Sequence, residues 1–200
     1  MRTLLEISRE LALTAQAGLA FTKDPFDRER FERLLEIASE LLRDPARAPD
    51  FLWPAELGYP TPKVDVRSAV FREGCVLLVK EASTQLWTLP GGWADLNLSP
   101  AQNAERECRE ESGYEVKARV VTSLLDRDQA GYPPHPHSIY KITFLCDLDG
   151  GEPRASIETT EVGFFPLDAL PPLDPGRTCE AEIRRAYAFL LNPQQAAAFN

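Results

Sequence analysis

Hydrophobic side chains near the start of the chain recur at helical spacing. Leu4, Ile7, Leu11 and Ala15 are separated by three or four residues, which places them on one face of a helix. Gly18 follows them, and glycine is common where helices end. The pattern therefore predicts a first helix that ends near Gly18.

A second helix is predicted after Asp24-Pro25, because Asp is a favoured cap and proline suits the first helical turn. Its apolar stripe consists of Phe31, Leu34, Leu35, Ala38, Leu41 and Leu42. Residues 44–62 are rich in proline and alanine and contain a Gly-Tyr-Pro turn, which predicts a linker with room for one short helical piece. We therefore predict an N-terminal helical domain with its linker over residues 1–60.

The pattern changes from residue 63 onwards, where apolar positions alternate or run together as they do in strands. The predicted strands are a first one beginning near Val64, then residues 75–79, 86–89, 116–125, 139–146 and 161–165. Helices are predicted over residues 100–112 and 178–191, the second with Thr178 as its cap. Strands on both sides of a central helix, without strict alternation of strand and helix, predict a mixed sheet with helices packed on it.

Composition and charge narrow the class of protein. Hydrophobic residues make up 44% of the chain and charged residues 26%, as in ordinary globular proteins. The net charge of −9 disfavours binding to nucleic acid or to an anionic membrane, since both attract basic surfaces. An anionic substrate would need a local positive charge, which a bound divalent cation could supply. The four cysteines are far apart in sequence, and we expect free thiols in a reducing cytosol.

The first residues do not resemble a targeting segment. Glu6, Arg9 and Glu10 stand where a signal peptide would have its apolar core. The most apolar stretch, residues 11–21, is interrupted by polar side chains and is too short to span a bilayer. We therefore expect a cytoplasmic protein.

The helix Pro100–Ser112 has well-defined start and stop signals. Ser99 can cap it, proline suits its first turn, and Gln102 can complete a capping box. Gly113 supplies the left-handed residue that ends many helices.

Three glutamates of this helix fall on one face. At roughly 100° per residue, Glu107, Glu110 and Glu111 occupy an arc only about 100° wide. Their mutual repulsion costs about 1 kcal/mol or more per pair, and the C-terminal half of a helix disfavours negative charge. One interpretation is a solvated acidic face relieved by Arg106 and Arg109. The other is a site that Mg²⁺ or Mn²⁺ neutralises through carboxylate oxygens.

The preceding loop favours the second interpretation. Residues 89–92 read Leu-Pro-Gly-Gly, and glycines let a backbone approach a ligand closely. Together with residues 106–114, this segment resembles the Nudix hydrolase family, whose signature is G-x5-E-x7-R-E-U-x-E-E-x-G-U, where U is a bulky apolar residue. Gly92 and the run Arg-Glu-Cys-Arg-Glu-Glu-Ser-Gly-Tyr fall in register with that signature.

The chain departs from the signature at three positions. Leu98 stands where the family has a glutamate, so a loop anchor of the family is missing, and the U positions hold Cys108 and Tyr114. Further segments resemble a bacterial branch with a helical N-terminal extension, which includes CDP-choline pyrophosphatase-like and ADP-ribose pyrophosphatase-like enzymes. Those segments are residues 59–67, 91–95 and 157–165.

The resemblance implies an α/β (α+β) fold, a Nudix αβα sandwich with a mixed sheet over residues 61–200. It implies hydrolysis of the diphosphate bond of a nucleoside diphosphate linked to another moiety X, of the CDP-choline or ADP-ribose type, to a nucleoside monophosphate and phosphorylated X. Mg²⁺ or Mn²⁺ would be held by Glu107, Glu110 and Glu111, with the carbonyl group of Gly92 as a further ligand.

Charged residues around this site have candidate roles. We expect Arg106 to hold a glutamate in place by a charged hydrogen bond rather than to contact substrate. Glu158 and Glu161 are candidate general bases, although each is equally well explained as a surface glutamate. Arg67 and Arg127 could bind the diphosphate by bidentate contacts, and ordinary ion pairing explains each of them as well.

Aromatic residues could stack on a base. Trp93, Tyr132 and Tyr140 are candidates, although a buried aromatic side chain is the commoner case. The apolar stripes of the N-terminal helices are too large for a lone helix pair, so they must pack on the Nudix domain or on a second chain. We favour a homodimer formed through these helices.

Two other functions remain open at this point. One is a non-catalytic Nudix domain that senses a nucleotide metabolite, which the intact glutamate trio and the acidic balance disfavour. The other is hydrolysis of RNA ends or oligonucleotides by the same site, which the lack of a basic groove disfavours as the main role.

Overall fold

The computed structural model describes residues 2–43, 51–53 and 58–200. The chain forms two compact units, Met1–Pro62 with Pro134–Ser138, and Lys63–Pro133 with Ile139–Asn200. The helices and strands are α1 (Leu4–Phe21), α2 (Pro25–Glu40), β1 (Lys63–Arg72), β2 (Cys75–Glu81), β3 (Trp87–Thr88), α3 (Pro100–Ser112), β4 (Tyr114–Asp126), β5 (Ile139–Gly151), β6 (Thr159–Pro166), α4 (Glu180–Leu191) and β7 (Ala198–Phe199), with a 3-10 turn at Arg127–Gln129. The short helical piece predicted within residues 44–62 falls largely outside the described residues.

The first unit is a pair of packed helices with a small core. Ala12, Ala38 and Trp53 form this core, and the Trp53 indole N–H donates to the Ser8 hydroxyl at 3.0 Å. Both predicted helices are confirmed, and Asp24 caps α2 as expected.

The helix α1 was predicted to end near Gly18, and it continues three residues further, to Phe21. Gly18 lies where the helices are close: a Cβ atom there would be 2.4 Å from the ring of Phe31. The glycine therefore permits a close helix contact rather than a helix end.

The second unit contains a mixed sheet with the order β3-β2-β1-β5-β4-β7, and β6 pairs with β2. β1 lies parallel to β5 from Lys63 opposite Ile139 to Val70 opposite Cys146. It pairs with β2 only at its end, where the chain turns back in a hairpin. The strands β2, β3 and β6 therefore diverge from the other strands. The remaining backbone groups on this edge of β1 can then form hydrogen bonds with another segment of the chain.

Helices cover both faces of the sheet. Val66 and Val70 of β1 pack in a core with Ala104 and Cys108 of α3. Ala69, on the opposite face, packs in a second core with residues of α4. Neighbouring residues of one strand thus contribute to different cores, as expected for a sheet buried on both sides. The predicted sandwich with a mixed sheet is confirmed.

Two features at the C-terminal end differ from the prediction. α4 follows Cys179 and has no side-chain cap, so the prediction of Thr178 as its cap is wrong. β7, which the sequence pattern did not indicate, pairs in parallel with β4. Among the described residues, no helix combines the length and apolar character needed to cross a membrane.

Candidate active site

The helix α3 has the predicted bounds because its ends are fixed locally. The Ser99 hydroxyl accepts a hydrogen bond from the Gln102 amide at 3.2 Å, and the Gln102 side chain accepts one from the Ser99 amide at 2.9 Å. Gly113 ends the helix with φ 78°. The capping box and the glycine stop together set which side chains of α3 face the sheet.

The glycine loop before α3 runs along the free edge of β1. The Val66 amide donates to the Gly92 carbonyl and the Ser68 amide to the Pro90 carbonyl, each at 2.9 Å. Gly91 has φ 142°, and a Cβ atom there would be 2.0 Å from the Val66 carbonyl oxygen. The loop therefore requires glycine at residue 91 in order to lie against the strand.

Glu111 anchors this loop from α3. Its carboxylate accepts a hydrogen bond from the Gly91 amide at 2.9 Å, and the residue is only 4% exposed. Burial raises the pKa of Glu111 to about 7, against the opposing attraction of Arg67 and the Gly91 hydrogen bond. The charges of Glu81 and Glu107 contribute to the rise.

The other two glutamates of α3 share one arginine. Arg106 is 2.7 Å from a Glu107 oxygen and 3.1 Å from a Glu110 oxygen, and it also contacts Asp95 at 2.8 Å. Burial raises the pKa of Glu107, although Arg106 opposes this. A Cβ atom at Gly92 would be 3.1 Å from a Glu107 carboxylate oxygen, so the loop backbone and this carboxylate lie side by side.

A buried arginine lies behind these carboxylates. Arg67 donates to Asp65 at 2.8 Å and to the Leu89 carbonyl at 3.1 Å, and Lys141 donates to the other Asp65 oxygen at 2.7 Å. Although burial disfavours the Asp65 carboxylate, Arg67 and Lys141 hold its pKa below the ordinary value. Arg67 thus supports the loop and places a positive charge near Glu111.

Two family models match this chain. The model described as "NUDIX domain" matches residues 61–187, which is more than half of the chain. The chain belongs to the Nudix family. The model described as "UDP-X-like, N-terminal oligomerisation domain" matches residues 2–49.

This Nudix protein has relatives that match along almost all of its length. A protein of Bacillus subtilis (strain 168), described as "Putative ADP-ribose pyrophosphatase YjhB", is 42% identical and covers 98% of this chain and 96% of its own. The crystal structure of UDP-X diphosphatase is 28% identical with a TM-score of 0.65, and 98% of each chain is covered. An ADP-ribose pyrophosphatase structure from Streptococcus suis 89-1591 is 36% identical with a TM-score of 0.65, covering 70% of this chain and all of that one.

The Nudix loop has an anchor that the sequence did not reveal. Asn103 of α3 is buried, and its side-chain oxygen accepts from the Asp95 amide at 2.9 Å. Its side-chain amide donates to the carbonyl groups of Asp95 and Ser99 at 3.2 and 3.3 Å. Leu98, which replaces the family glutamate, is 38% exposed. Asn103 therefore fixes the position of the loop that contains Leu98.

The two predicted general bases lie in different surroundings. Glu161 forms an ion pair with Lys80 at 2.7 Å. Val162 packs in the core with α3 and Phe165 packs in the core with α4, so residues 161 and 165 share the face turned away from α3. Glu158 is close enough to Glu107 for its charge to raise the Glu107 pKa. The structure thus brings Glu158, but not Glu161, towards the glutamates of α3.

The predicted substrate-binding arginines are both buried and have protein partners. Arg127 donates to the carbonyl groups of Pro133 and Gly176, and its guanidinium lies 5.5 Å from the ring centre of Tyr132. Arg67 has the contacts described above. Direct contact of either side chain with substrate stays a prediction.

The predicted stacking residues do not share a face of the sheet. Trp93 bridges to Asp65 and Tyr140 pairs with Val64, and neighbouring residues of a strand point to opposite faces. Trp93 is 50% and Tyr140 42% exposed, whereas Tyr132 is buried. Either of the first two could contact a base from its own side, and stacking stays a prediction.

One carboxylate near the site gave no signal in the sequence. Glu81, the last residue of β2, is 3% exposed and lies 3.1 Å from the Arg177 guanidinium. Burial raises its pKa against the attraction of Arg177 and Arg67. A single glutamate at a strand end has no distinctive spacing, and only the three-dimensional structure brings it near Glu111.

The donor groups present fit a hard divalent cation. In the described part of the chain, no three His, Cys, Asp or Glu side chains converge closely enough to enclose an ion. The available donors are the carboxylates of Glu107, Glu110 and Glu111 and the carbonyl of Gly92, and oxygen ligands are those that Mg²⁺ and Mn²⁺ prefer. A Glu107 carboxylate oxygen and the Gly92 backbone are close enough for both to contribute ligands to one site. Arg106 contacts Oε1 of Glu107 and Oε2 of Glu110, and the other Glu107 oxygen lies beside Gly92.

Proposed function

We propose that this Nudix protein is a metal-dependent pyrophosphohydrolase that acts on a nucleoside diphosphate linked to another moiety, with Mg²⁺ or Mn²⁺ as the cation. The products would be a nucleoside monophosphate and phosphorylated X. The observation that carries the proposal is Glu111, a buried carboxylate hydrogen-bonded to Gly91, beside Glu107 and the Gly92 backbone. Burying a charged carboxylate in this way lowers the stability of the fold unless a cation compensates its negative charge.

ADP-ribose is the first substrate to test, because a relative that matches nearly the whole chain at 42% identity is described as a putative ADP-ribose pyrophosphatase. CDP-choline belongs in the same test as the other type that we expect. The N-terminal match to a UDP-X-like domain adds UDP-sugars to the panel.

The residues of this chain have separable roles in the proposed reaction. Bound at the glutamates, a divalent cation supplies charge for the diphosphate and activates water. Glu111 holds the loop backbone at Gly91, and Arg106 keeps Glu107 and Glu110 oriented. Glu158 would accept the proton of the attacking water.

A hydrolysis screen tests the proposed function. The full-length protein is incubated with ADP-ribose, CDP-choline, UDP-sugars, dinucleoside polyphosphates, capped RNA and oligonucleotides, with Mn²⁺ or Mg²⁺ or with a chelator, and the products are identified by mass. We expect metal-dependent release of a nucleoside monophosphate from at least one of the diphosphate compounds. Binding without turnover of any of them would favour a sensor domain instead, and cleavage only of capped RNA or oligonucleotides would favour the RNA-end alternative.

Replacing Glu158 with glutamine should affect proton transfer. We expect kcat to fall by roughly 100-fold, because general-base catalysis contributes about that much. Glu161→Gln is the matched control, since it removes an equal charge from the same strand region but on the other face. Equal and small effects of both substitutions would remove Glu158 from the mechanism.

We propose that the chain forms a homodimer through its N-terminal unit. This unit exposes several large apolar side chains, and the family model that matches it is described as an oligomerisation domain. The exposed side chains are Leu4, Phe21, Phe26, Leu52 and Tyr59. Light scattering on the full chain should give twice the mass of 22.4 kDa, and a monomer mass at micromolar concentration would contradict the proposal.

A further inference from the structure

Glu81 lies on the face of β2 that is directed towards α3. Leu77, four residues earlier and therefore on the same side of the strand, packs in one core with Ala104 and Cys108 of α3. Val76 and Leu78 pack in the other core with α4. The Glu81 side chain is 4% exposed, so its carboxylate is directed into the interior beside α3 rather than into solvent.

Contacts to the backbone, made through Thr159 and Ala82, connect the segment of Glu81 with those of Glu111 and Glu158. Glu81 is paired across the strands with Thr159, whose hydroxyl donates to the Glu111 carbonyl at 2.7 Å. The amide that follows Glu81 donates to the Glu158 carbonyl at 2.8 Å. The backbones of Glu81, Glu111 and Glu158 are therefore neighbours, although the three residues come from different parts of the chain.

One oxygen of the Glu81 carboxylate lacks a hydrogen bond. Oε1 is inaccessible to solvent and has no hydrogen-bond partner among the described residues. Arg177 Nη1 is 3.1 Å away, within ion-pair distance but without hydrogen-bond geometry, and this arginine also lies 4.0 Å from Asp174. A buried carboxylate oxygen without a hydrogen bond is costly, and a bound ion is one of the few explanations for such an atom in a native protein.

A purely structural ion pair explains this arrangement poorly. An ion pair that only stabilises the fold gains most when hydrogen bonds satisfy both carboxylate oxygens. Glu81 instead keeps an unsatisfied oxygen and lies within electrostatic reach of Glu111, another buried carboxylate. A doubly charged cation between two such groups would satisfy both, because hard cations take carboxylate oxygens as ligands.

We propose that Glu81 is a fourth carboxylate ligand for the divalent cations of this site, and that it binds them together with Glu111. The inference rests on the proposed metal-dependent function. Arg177 is then the positive charge that neutralises Glu81 in the metal-free protein, and it is released when the cation binds.

Counting bound Mn²⁺ tests the proposal without reference to activity. Full-length protein is titrated with Mn²⁺, and free ion is measured by electron paramagnetic resonance. We expect Glu81→Gln either to lose one bound Mn²⁺ per chain or to bind it at least ~10-fold more weakly. Glu161→Gln is the control, since it removes the same charge from the opposite face and should leave Mn²⁺ binding unchanged. Unaltered stoichiometry and affinity in folded Glu81→Gln would overturn the proposal.

Removing the arginine separates the metal role from a structural one. If Glu81 exchanges Arg177 for a cation, Arg177→Met should strengthen Mn²⁺ binding several-fold, because no cationic competitor remains. If Glu81 serves only to hold Arg177, the substitution should lower the melting temperature and leave Mn²⁺ affinity unchanged, which would refute the inference. Circular dichroism of each variant shows whether it is folded, and Glu81→Asp, which keeps a carboxylate, replaces Glu81→Gln if that variant is not.

Failure of the Glu81 proposal can be distinguished from failure of the proposed function. A wild-type protein that hydrolyses its substrate with Mn²⁺, while Glu81→Gln binds Mn²⁺ normally, would leave the function intact and remove Glu81 from the metal site. A wild-type protein that turns over no compound of the screen, yet loses a bound Mn²⁺ on Glu81→Gln, would leave the metal ligand intact and remove the function.

Discussion

Glu111→Gln should reduce kcat by roughly 100-fold or more, the scale expected when a group that stabilises transition-state charge is removed. The glutamine oxygen can still accept the hydrogen bond from Gly91, so the loop should keep its place while the negative charge is lost. The measurement is turnover at saturating Mg²⁺, with the substrate that the screen identifies. Near-normal turnover would show that Glu111 is not needed as a carboxylate.

The same substitution should stabilise the metal-free protein. Because burial raises the pKa of Glu111 from 4.5 to about 7, the folded state loses stability as the pH rises between these values. Above pH 7 the free energy of unfolding of the glutamine variant should therefore exceed that of the wild type by about 1–3 kcal/mol. The gain should be present at pH 8 and nearly absent at pH 4.5, in thermal melts with a chelator. An equal melting temperature at pH 8 would contradict the assigned cost of burying this carboxylate.

Gly91→Ala should have the largest effect on the fold of the site. The added Cβ atom would be 2.0 Å from the Val66 carbonyl oxygen. Neither atom can move without its backbone, because the Cβ position is fixed by the loop and the oxygen belongs to β1. The loop would have to leave β1 and give up its hydrogen bonds to Val66, Ser68 and Glu111. We expect a loss of about 3 kcal/mol or more, which lowers the melting temperature by roughly 6–12 °C, together with loss of activity.

Gly74→Ala is the matched control for this effect. Gly74 also has a positive φ, 78°, but nothing lies within 4 Å of a Cβ atom there. Its replacement should cost only the strain of a left-handed alanine, about 1 kcal/mol. If both substitutions destabilise the protein equally, backbone conformation rather than contact with β1 explains the requirement for glycine at residue 91.

The sequence predicted those parts of the site that depend on neighbouring residues. α3 begins and ends as expected because Ser99, Gln102 and Gly113 act within a few residues of each helix end. The spacing of Glu107, Glu110 and Glu111 follows from helical geometry alone. Local chemistry was therefore sufficient to place these carboxylates on one face of one helix.

Residues that act across the fold could not be identified in this way. Asn103 and Glu81 are single polar residues in unremarkable surroundings, and their roles appear only when distant segments pack together. Thr178 is of a residue type that often caps helices, yet its hydroxyl accepts a hydrogen bond from the Leu89 amide at 3.0 Å. Glycine is likewise common at helix ends, but Gly18 instead permits a close contact with Phe31 of α2. In each case a long-range contact replaces the local role that the sequence favours.

The Thr178 hydroxyl also lies 2.8 Å from the Thr88 hydroxyl, which in turn accepts from Arg67 at 3.3 Å. Positions 88 and 178 therefore cannot drift independently during evolution, because a larger or apolar side chain at one leaves the other without its partner. Compensating pairs of substitutions at these two positions are expected in homologues that keep the same loop.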